Sequence, residues 1–273
     1  MILAKITFGK RGRNNAGELE EFATIYLAAL LHNGQLCDEY FHAWSKGGLT
    51  AYVHLAGPTA LAARHHSKWG HRALKEVVRA FGRKPSCAIL DEYAPRRSAG
   101  WRDAPFLYLF THAFDSTPPV VRGDSGVPVP SYLLPVTHER REELFFWQRA
   151  YISHDDIWLK CGALEIAAYR ELASPDSHLS QSGRSLCGAI ESATGIPTYY
   201  YLMRYWGRPK GEAARRCPGC GRDWRTELPE ATEQPFFHFH FRCDECRLVS
   251  HMGVSADGGR YARIGEHQRR KTG

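Results

Sequence analysis

Apolar and polar positions alternate or recur at helical spacing through the first part of the chain. Asn15 is placed to cap the first helix and Gly34 to end it, and a Lys-Gly-Gly turn at 46–48 predicts a hairpin. The predicted segments are strand 2–8, helix 14–34, hairpin strands 36–44 and 49–57, helix 66–82 and strand 85–93. This βαββαβ order is that of ferredoxin-like folds, and we expect such a unit over residues 1 to about 95.

The pattern changes to a strand and helices in residues 96–207. The predicted segments are strand 106–114, helices 138–151, 155–172 and 177–194, and an aromatic-rich strand at 198–206. Residues 115–135 contain too many prolines for a central strand. Asp155 and Asp156 stand where the second of these helices is predicted to begin, which favours a capping role. Together the elements predict an α+β fold with a helical middle segment.

Composition limits the class of protein. With 273 residues and 43% hydrophobic content, the chain is long and apolar enough to bury a sizeable core. The longest apolar run, residues 22–31, is too short to span a membrane, and the first residues lack a secretion-signal pattern. We therefore expect a cytoplasmic protein with no membrane contact.

Eight cysteines fall into two groups. Cys37, Cys87, Cys161 and Cys187 are isolated in the sequence, and we expect them to be buried as small apolar residues. A disulfide framework is disfavoured, because such frameworks belong to small secreted domains. The other four cysteines form two close pairs late in the chain.

The late cysteines, Cys217, Cys220, Cys243 and Cys246, form two C-x2-C pairs separated by twenty-two residues. This spacing lets four sulfurs reach one zinc ion at about 2.3 Å. A thioredoxin-like dithiol leaves the second pair unexplained, and the tight triplets of ferredoxin clusters are absent from the sequence. Because four sulfurs complete a tetrahedron and leave no position for water, the pattern predicts one structural zinc ion per chain.

The residues between the pairs are sufficient for a hairpin, as in a zinc ribbon. Phe237, Phe239 and Phe241 share one face of an alternating run at 236–243, and Trp224 is placed to cover that face. We expect the ribbon at residues 215–256. The predicted boundaries around it are a domain at 1–207, a linker at 208–214 and a basic tail at 257–273.

Three stretches of sequence resemble an uncharacterised bacterial family described as zinc-ribbon-containing and as a candidate for nucleic-acid binding. They are residues 193–207 (ATGIPTYYYLMRYWG), 215–225 (RRCPGCGRDWR) and 241–250 (FRCDECRLVS). The resemblance implies a zinc site at the four late cysteines and implies no established activity.

Three functional hypotheses stay open. The first is binding of RNA or DNA through basic and aromatic residues of the ribbon, namely Arg215, Arg216, Arg222, Trp224, Arg225, Arg242 and Arg247. The arginines equally suit a solubilising role around an aromatic ribbon core. The second is a protein-interaction adaptor that docks its partner through the ribbon. The third is an enzyme in the N-terminal part, although no catalytic constellation emerges from the sequence. The sequence does not predict the oligomeric state.

Overall fold

A computed structural model describes residues 1–12, 14–90, 100–160, 162–228, 234–256 and 259–267. The chain forms two compact units. The N-terminal unit comprises residues 1–100, 116–118 and 127–145, and the C-terminal unit comprises residues 101–115, 119–126 and 146–273. No helix among the described residues is long and apolar enough to cross a membrane.

The N-terminal unit contains a four-stranded sheet and two helices in the predicted βαββαβ order. The elements are β1 (Ile2–Gly9), α1 (Ala16–His32), β2 (Phe41–Ser45), β3 (Gly48–Leu55), α2 (Lys68–Phe81) and β4 (Ser86–Ile89). The strand order is β2-β3-β1-β4, and every neighbouring pair is antiparallel. The Asn15 side chain accepts a hydrogen bond from the Gly17 amide, which confirms the predicted cap of α1.

One face of this sheet packs against α1 and α2 and forms the core of the unit. Ile6 and Phe8 of β1, Leu27 of α1 and Val77 of α2 are buried in this core. Alternation along the strands sends the intervening side chains to the opposite face. That opposite face carries the exposed Tyr52.

The C-terminal unit is built on a five-stranded sheet of order β6-β5-β7-β9-β8. Its strands are β5 (Leu107–Leu109), β6 (Val120–Arg122), β7 (Thr198–Tyr201), β8 (Phe241–Cys243) and β9 (Leu248–Ser250). The central strand β7 is parallel to both β5 and β9, while the edge strands pair antiparallel. The proline-rich segment supplies one short strand, β6, at the edge of the sheet, in agreement with its composition.

The helices in the second half of the chain are α3 (His138–Lys160), α4 (Glu165–Ala173) and α5 (His178–Thr194). The prediction of a helix beginning at Asp155 is wrong, because α3 continues through this residue. Asp155 is buried, and its carboxylate accepts a 2.7 Å hydrogen bond from the Ala113 amide. A tertiary contact, and not capping, therefore accounts for this acid.

Two further predictions from sequence patterns need correction. The alternating run at 236–243 forms a strand only at its last three residues, since a turn occupies the preceding ones. Among the isolated cysteines, Cys187 is buried as predicted and Cys37 partly so, whereas Cys87 is exposed. Cys161 lies outside the described residues.

Residues 208–214, the predicted linker, are held by a carboxylate. Glu212 accepts hydrogen bonds from the Arg208 amide (2.8 Å) and the Gly253 amide (3.3 Å). Of the predicted tail, residues 259–267 are described, and they begin with a short 3-10 helix in which Ala262 is buried. The rest of the tail prediction lies outside the described residues, and the domain boundaries stay a prediction.

Candidate metal centre

The four late cysteines come together at one point. The Sγ atoms of Cys217, Cys220, Cys243 and Cys246 all lie within 4.8 Å of one another. The Sγ atoms of Cys220 and Cys243 are 3.7 Å apart, and sulfurs at about 2.3 Å from a tetrahedral ion are separated by about 3.8 Å. The four cysteines are therefore positioned to hold a metal ion.

Backbone geometry explains why the first pair, in the sequence CPGCG, has this form. The Gly221 amide donates to the Cys217 carbonyl, and the Cys217 amide donates to the Arg222 carbonyl, both at 2.8 Å. Gly221 has φ of +73°, where a side chain is disfavoured. A Cβ on Gly219 would lie 2.7 Å from the Cys246 Sγ atom. Gly219 therefore lets the sulfurs meet without a clash, and Gly221 lets the turn form without backbone strain.

The second pair, CDECR, has arginine where the first pair has its last glycine. Arg247 adopts φ of +51°, an uncommon conformation for a residue with a side chain. Within this turn the Cys246 amide lies 3.4 Å from the Cys243 Sγ atom, as a donor to sulfur. The two pairs thus form similar turns from different residues.

Burial and local hydrogen bonds act on the thiol pKa values in opposite directions. Burial raises the pKa of Cys217, and backbone hydrogen bonds from Cys220 and Gly219 offset only part of this increase. Burial also raises the pKa of Cys246 to about 12. For Cys220 burial is outweighed by hydrogen bonds from the Arg222 backbone and from neighbouring thiols, which lower its pKa. Binding of a metal ion would displace the protons from these thiols.

Two stacked aromatic rings are buried in the segment that carries the cysteines. Trp224 and Phe241 are buried and stack with their ring centroids 5.0 Å apart. The prediction that Trp224 covers the phenylalanine face is therefore confirmed at Phe241. The indole Nε1 donates to the Arg215 carbonyl at 3.0 Å, so Trp224 is an internal group of this unit.

Arg215, the residue two positions before the first cysteine, is also internal. Its side chain is only 3% exposed. The guanidinium donates to the Ala262 carbonyl at 3.1 and 3.2 Å and pairs with Glu212 and Glu266. This arginine connects the cysteine site to the described tail and does not face solvent.

The remaining predicted nucleic-acid contacts each have a partner within the chain. The pairs are Arg216 with Asp223 (3.6 Å), Arg222 with Glu245 (2.6 Å), Arg242 with Asp244 (2.7 Å) and Arg247 with Glu191 (2.8 Å). Arg225 is exposed, with its guanidinium carbon 5.4 Å from the Phe241 ring centroid. The acidic partner Glu191 is far away in sequence, and no sequence signal indicates it.

Three titratable side chains in the strand and helical part of the chain, His112, His154 and Asp155, form hydrogen bonds with the backbone. His112 Nδ1 accepts from the Phe114 amide at 3.2 Å, and His154 Nδ1 lies 2.8 Å from the Ala150 carbonyl. Burial raises the pKa of Asp155, whose carboxylate holds the Ala113 amide. Each of the three side chains thus has a backbone partner within the chain.

Three domain families match the chain. Residues 1–91 match a domain of unknown function (DUF8589), residues 102–203 another (DUF2310), and residues 207–256 a third (DUF8594). Two uncharacterised proteins of Haemophilus influenzae are similar to this chain. One is 34% identical over 192 residues, covering 65% of this chain and 70% of the relative. The other is 36% identical over 164 residues, covering 59% and 76% respectively.

This chain belongs to their family. The prediction of an uncharacterised bacterial family is confirmed, whereas none of the three matched domains is described as a zinc ribbon. No solved structure matches the chain.

Proposed function

We propose that the four cysteines bind one zinc ion whose role is structural. The observation that carries this proposal is the meeting of the four Sγ atoms within 4.8 Å of one another. Four thiolates in a tetrahedron suit zinc and leave it no open position for a water molecule or a substrate. The ion would act as a fixed cross-link between chain segments.

The cross-link has a defined mechanical effect. Cys217 and Cys220 precede β8, whereas Cys243 is the last residue of β8 and Cys246 lies in the turn that leads to β9. Since β9 is paired with β7, an ion at the cysteines would hold the preceding segment against the end of the five-stranded sheet. Metal binding would contribute directly to the stability of the C-terminal unit.

Metal analysis of the purified, reduced full chain tests the proposal. We expect about one zinc per chain, and loss of the metal in a Cys220→Ser/Cys243→Ser variant. Cys87→Ser is the matched control, because Cys87 is exposed and distant from the cluster in sequence, and this variant should retain zinc. Iron in place of zinc, or a metal-free native protein that unfolds at the same temperature as the double variant, would overturn it.

Nucleic-acid binding through the surface around the cysteines is a second candidate. The side chains of Arg216 and Arg222 are 61% and 73% exposed, and exposed ion pairs contribute little to stability. Phosphate groups can therefore replace Asp223 and Glu245 as their partners. Arg225 would add a third exposed cation, while Arg215 and Trp224 are excluded from this surface by their burial.

A triple variant, Arg216→Ala/Arg222→Ala/Arg225→Ala, tests this candidate. Affinity for a labelled oligonucleotide should fall in the variant. The wild-type affinity should decrease steeply with salt, because the release of counterions from the phosphates becomes less favourable as the salt concentration rises. Unchanged affinity in the triple variant would remove this surface from consideration. The protein-interaction adaptor stays a prediction, tested by recovery of a stoichiometric protein partner after nuclease treatment.

We further infer a ferredoxin-like fold for the N-terminal unit. Its support is the strand order with β1 and β3 in the centre, each antiparallel to its neighbours. We likewise propose a cytoplasmic location, while the division into residues 1–207 and a ribbon at 215–256 stays a prediction from the sequence. An experimental structure and cell fractionation would test them.

A further inference from the structure

Two exposed aromatic residues lie side by side on the N-terminal sheet. Phe41 of β2 is 78% exposed and Tyr52 of β3 is 46% exposed, and their Cα atoms are direct partners in the β2–β3 pairing. On its other side Tyr52 is the partner of Lys5 in β1. The three residues form a row across adjacent strands, and we call this row the sheet platform.

The platform belongs to the face that the helices leave open. Side chains alternate between the two faces along β2, and Tyr40 and Trp44, on the face opposite to Phe41, pack against the core. Ala51 and Val53, on either side of Tyr52, are buried in that core. Phe41 and Tyr52 therefore point away from α1 and α2, and their exposed apolar area gains nothing from folding.

Positive charge is concentrated at one end of this sheet. β1 ends, the β2–β3 hairpin turns and β4 begins at the same end, because β1 is antiparallel to both of its neighbours. A Cβ built on Gly9 would lie 3.4 Å from the Arg83 side chain, which confirms that these loops meet. The cations that the loops carry are Lys10, Arg11, Lys46, Arg83 and Lys84.

Acidic residues are absent from the same segments of sequence. Residues 1–12, 40–57 and 82–90 contain no aspartate or glutamate. The positive charge at this end is therefore not neutralised by acids of the strands or of the loops at the same end, since Asp38 and Glu39 precede β2 at the opposite end. Such a surface suits a partner with a regular series of negative charges.

Aromatic and cationic groups together define the chemistry of this partner. Unpaired bases stack on exposed aromatic rings while lysine and arginine contact the phosphates between them. A duplex keeps its bases stacked inside and cannot use the rings in this way. Thr7 and His54, half-buried on the same face, offer hydrogen-bonding groups to a ribose 2′-hydroxyl.

We propose that the sheet platform binds single-stranded RNA. Bases stack on Phe41 and Tyr52, Lys5 contacts the backbone beside them, and the strand continues toward the cationic end of the sheet. This site goes beyond the proposed zinc site and the surface around it, since it lies in the other compact unit and uses none of the cysteines.

Fluorescence polarisation with a labelled twelve-nucleotide oligo(U) RNA and the zinc-loaded full chain tests the proposal. We expect Phe41→Ala and Tyr52→Ala each to weaken binding about tenfold or more, the loss expected for one stacked base. Phe41→Tyr should retain most of the affinity because it keeps the ring. Phe114→Ala is the matched control, since Phe114 is 77% exposed but belongs to the other unit.

Several outcomes would overturn the proposal. They are the absence of binding by the wild-type chain at low salt, and equal losses in the Phe41→Ala and Phe114→Ala variants. Equal affinity for oligo(dT) would overturn the assignment to RNA.

The Arg216→Ala/Arg222→Ala/Arg225→Ala variant separates the two surfaces, because it should bind the RNA as the wild type does if the sheet platform is the site. Unchanged melting temperatures of the platform variants are expected, since both rings lie outside the core.

Discussion

Arg247, the residue after the last of the four cysteines, forms an ion pair with Glu191 in α5, with Nη2 and Oε1 2.8 Å apart. The guanidinium also donates to the Asp244 carbonyl at 2.6 Å. The left-handed backbone of Arg247 is unfavourable by about 1–2 kcal/mol for a residue with a Cβ. The ion pair and the carbonyl contact offset this strain, so the second cysteine turn depends on a residue in a distant helix.

We predict that Glu191→Gln lowers the free energy of unfolding at pH 7 by about 1 kcal/mol, allowing for solvent screening at this partly exposed pair. Hydrogen bonds from Arg247 lower the pKa of Glu191 below its ordinary value. The stabilisation is therefore present above the unfolded pKa of about 4.3 and is lost as the pH falls through the folded pKa. Urea unfolding of both proteins should give a difference that shrinks on acidification. A constant difference would contradict the role of the charged pair.

Two glycines in α5 give opposite predictions. A Cβ on Gly183 would lie 2.3 Å from the Tyr200 ring and 2.8 Å from the Trp147 Nε1 atom, whereas a Cβ on Gly188 meets nothing within 4 Å. We expect Gly183→Ala to destabilise the chain by about 1–3 kcal/mol through overpacking. Gly188→Ala should stabilise it by about 0.5–1 kcal/mol through helix propensity. Thermal unfolding of the two variants checks the pair, and destabilisation by both would show that helix packing is misassigned.

We expect the ionisation of His251 to make the stability of the protein depend on pH. Its imidazole stacks on Phe236, and burial lowers its pKa to about 4. Because the folded pKa lies below the ordinary value of about 6.5, the unfolded chain binds more protons between these values, and stability is lost as the pH falls through this window. His251→Phe should reduce the loss of stability between pH 7 and pH 4.5 by on the order of 1–2 kcal/mol. Equal pH dependence in variant and wild type would contradict the burial of the neutral ring.

Local sequence signals predicted much of the fold because their causes are local. Asn15, Ser67 and Ser177 cap their helices with their own side chains, and Gly82 and Gly195 end them with positive φ. The meeting of the four cysteines was also predictable, since the spacing within each pair limits the positions of both sulfurs.

Contacts between distant residues could not be predicted in this way. Arg215 and Trp224 are residue types that are common in nucleic-acid-binding surfaces, yet both are buried. The carbonyl that binds Arg215 belongs to Ala262, in the segment after the ribbon. Similarly, the sequence around Asp155 is typical of a helix cap, but its carboxylate binds the amide of Ala113, which lies forty-two positions earlier in the chain. Sequence patterns report on periodicity and local turns, whereas these roles depend on tertiary packing.

Adjacent arginines provide a direct test of this distinction. Arg215→Ala would leave the carboxylates of Glu212 and Glu266 without their buried partner, and we expect a loss of about 3 kcal/mol in the free energy of unfolding. Arg216→Ala, at the next position, removes only an exposed pair and should change stability by about 0.5 kcal/mol or less. Urea unfolding with zinc present measures both. Equal effects would contradict the internal role of Arg215.

The pairing of β7 with β9 affects where the chain can be divided. All four cysteines of the cluster lie in the stretch of chain between these two neighbouring strands, and they therefore belong to one crossover of the sheet. A polypeptide that starts after residue 207 would contain β9 without its central partner, and one that stops there would end its sheet at β7. Each fragment would expose an unpaired strand edge, and such edges promote aggregation. Cleavage of the chain by a protease between β7 and the first cysteine would accordingly be tolerated only while the two pieces stay together.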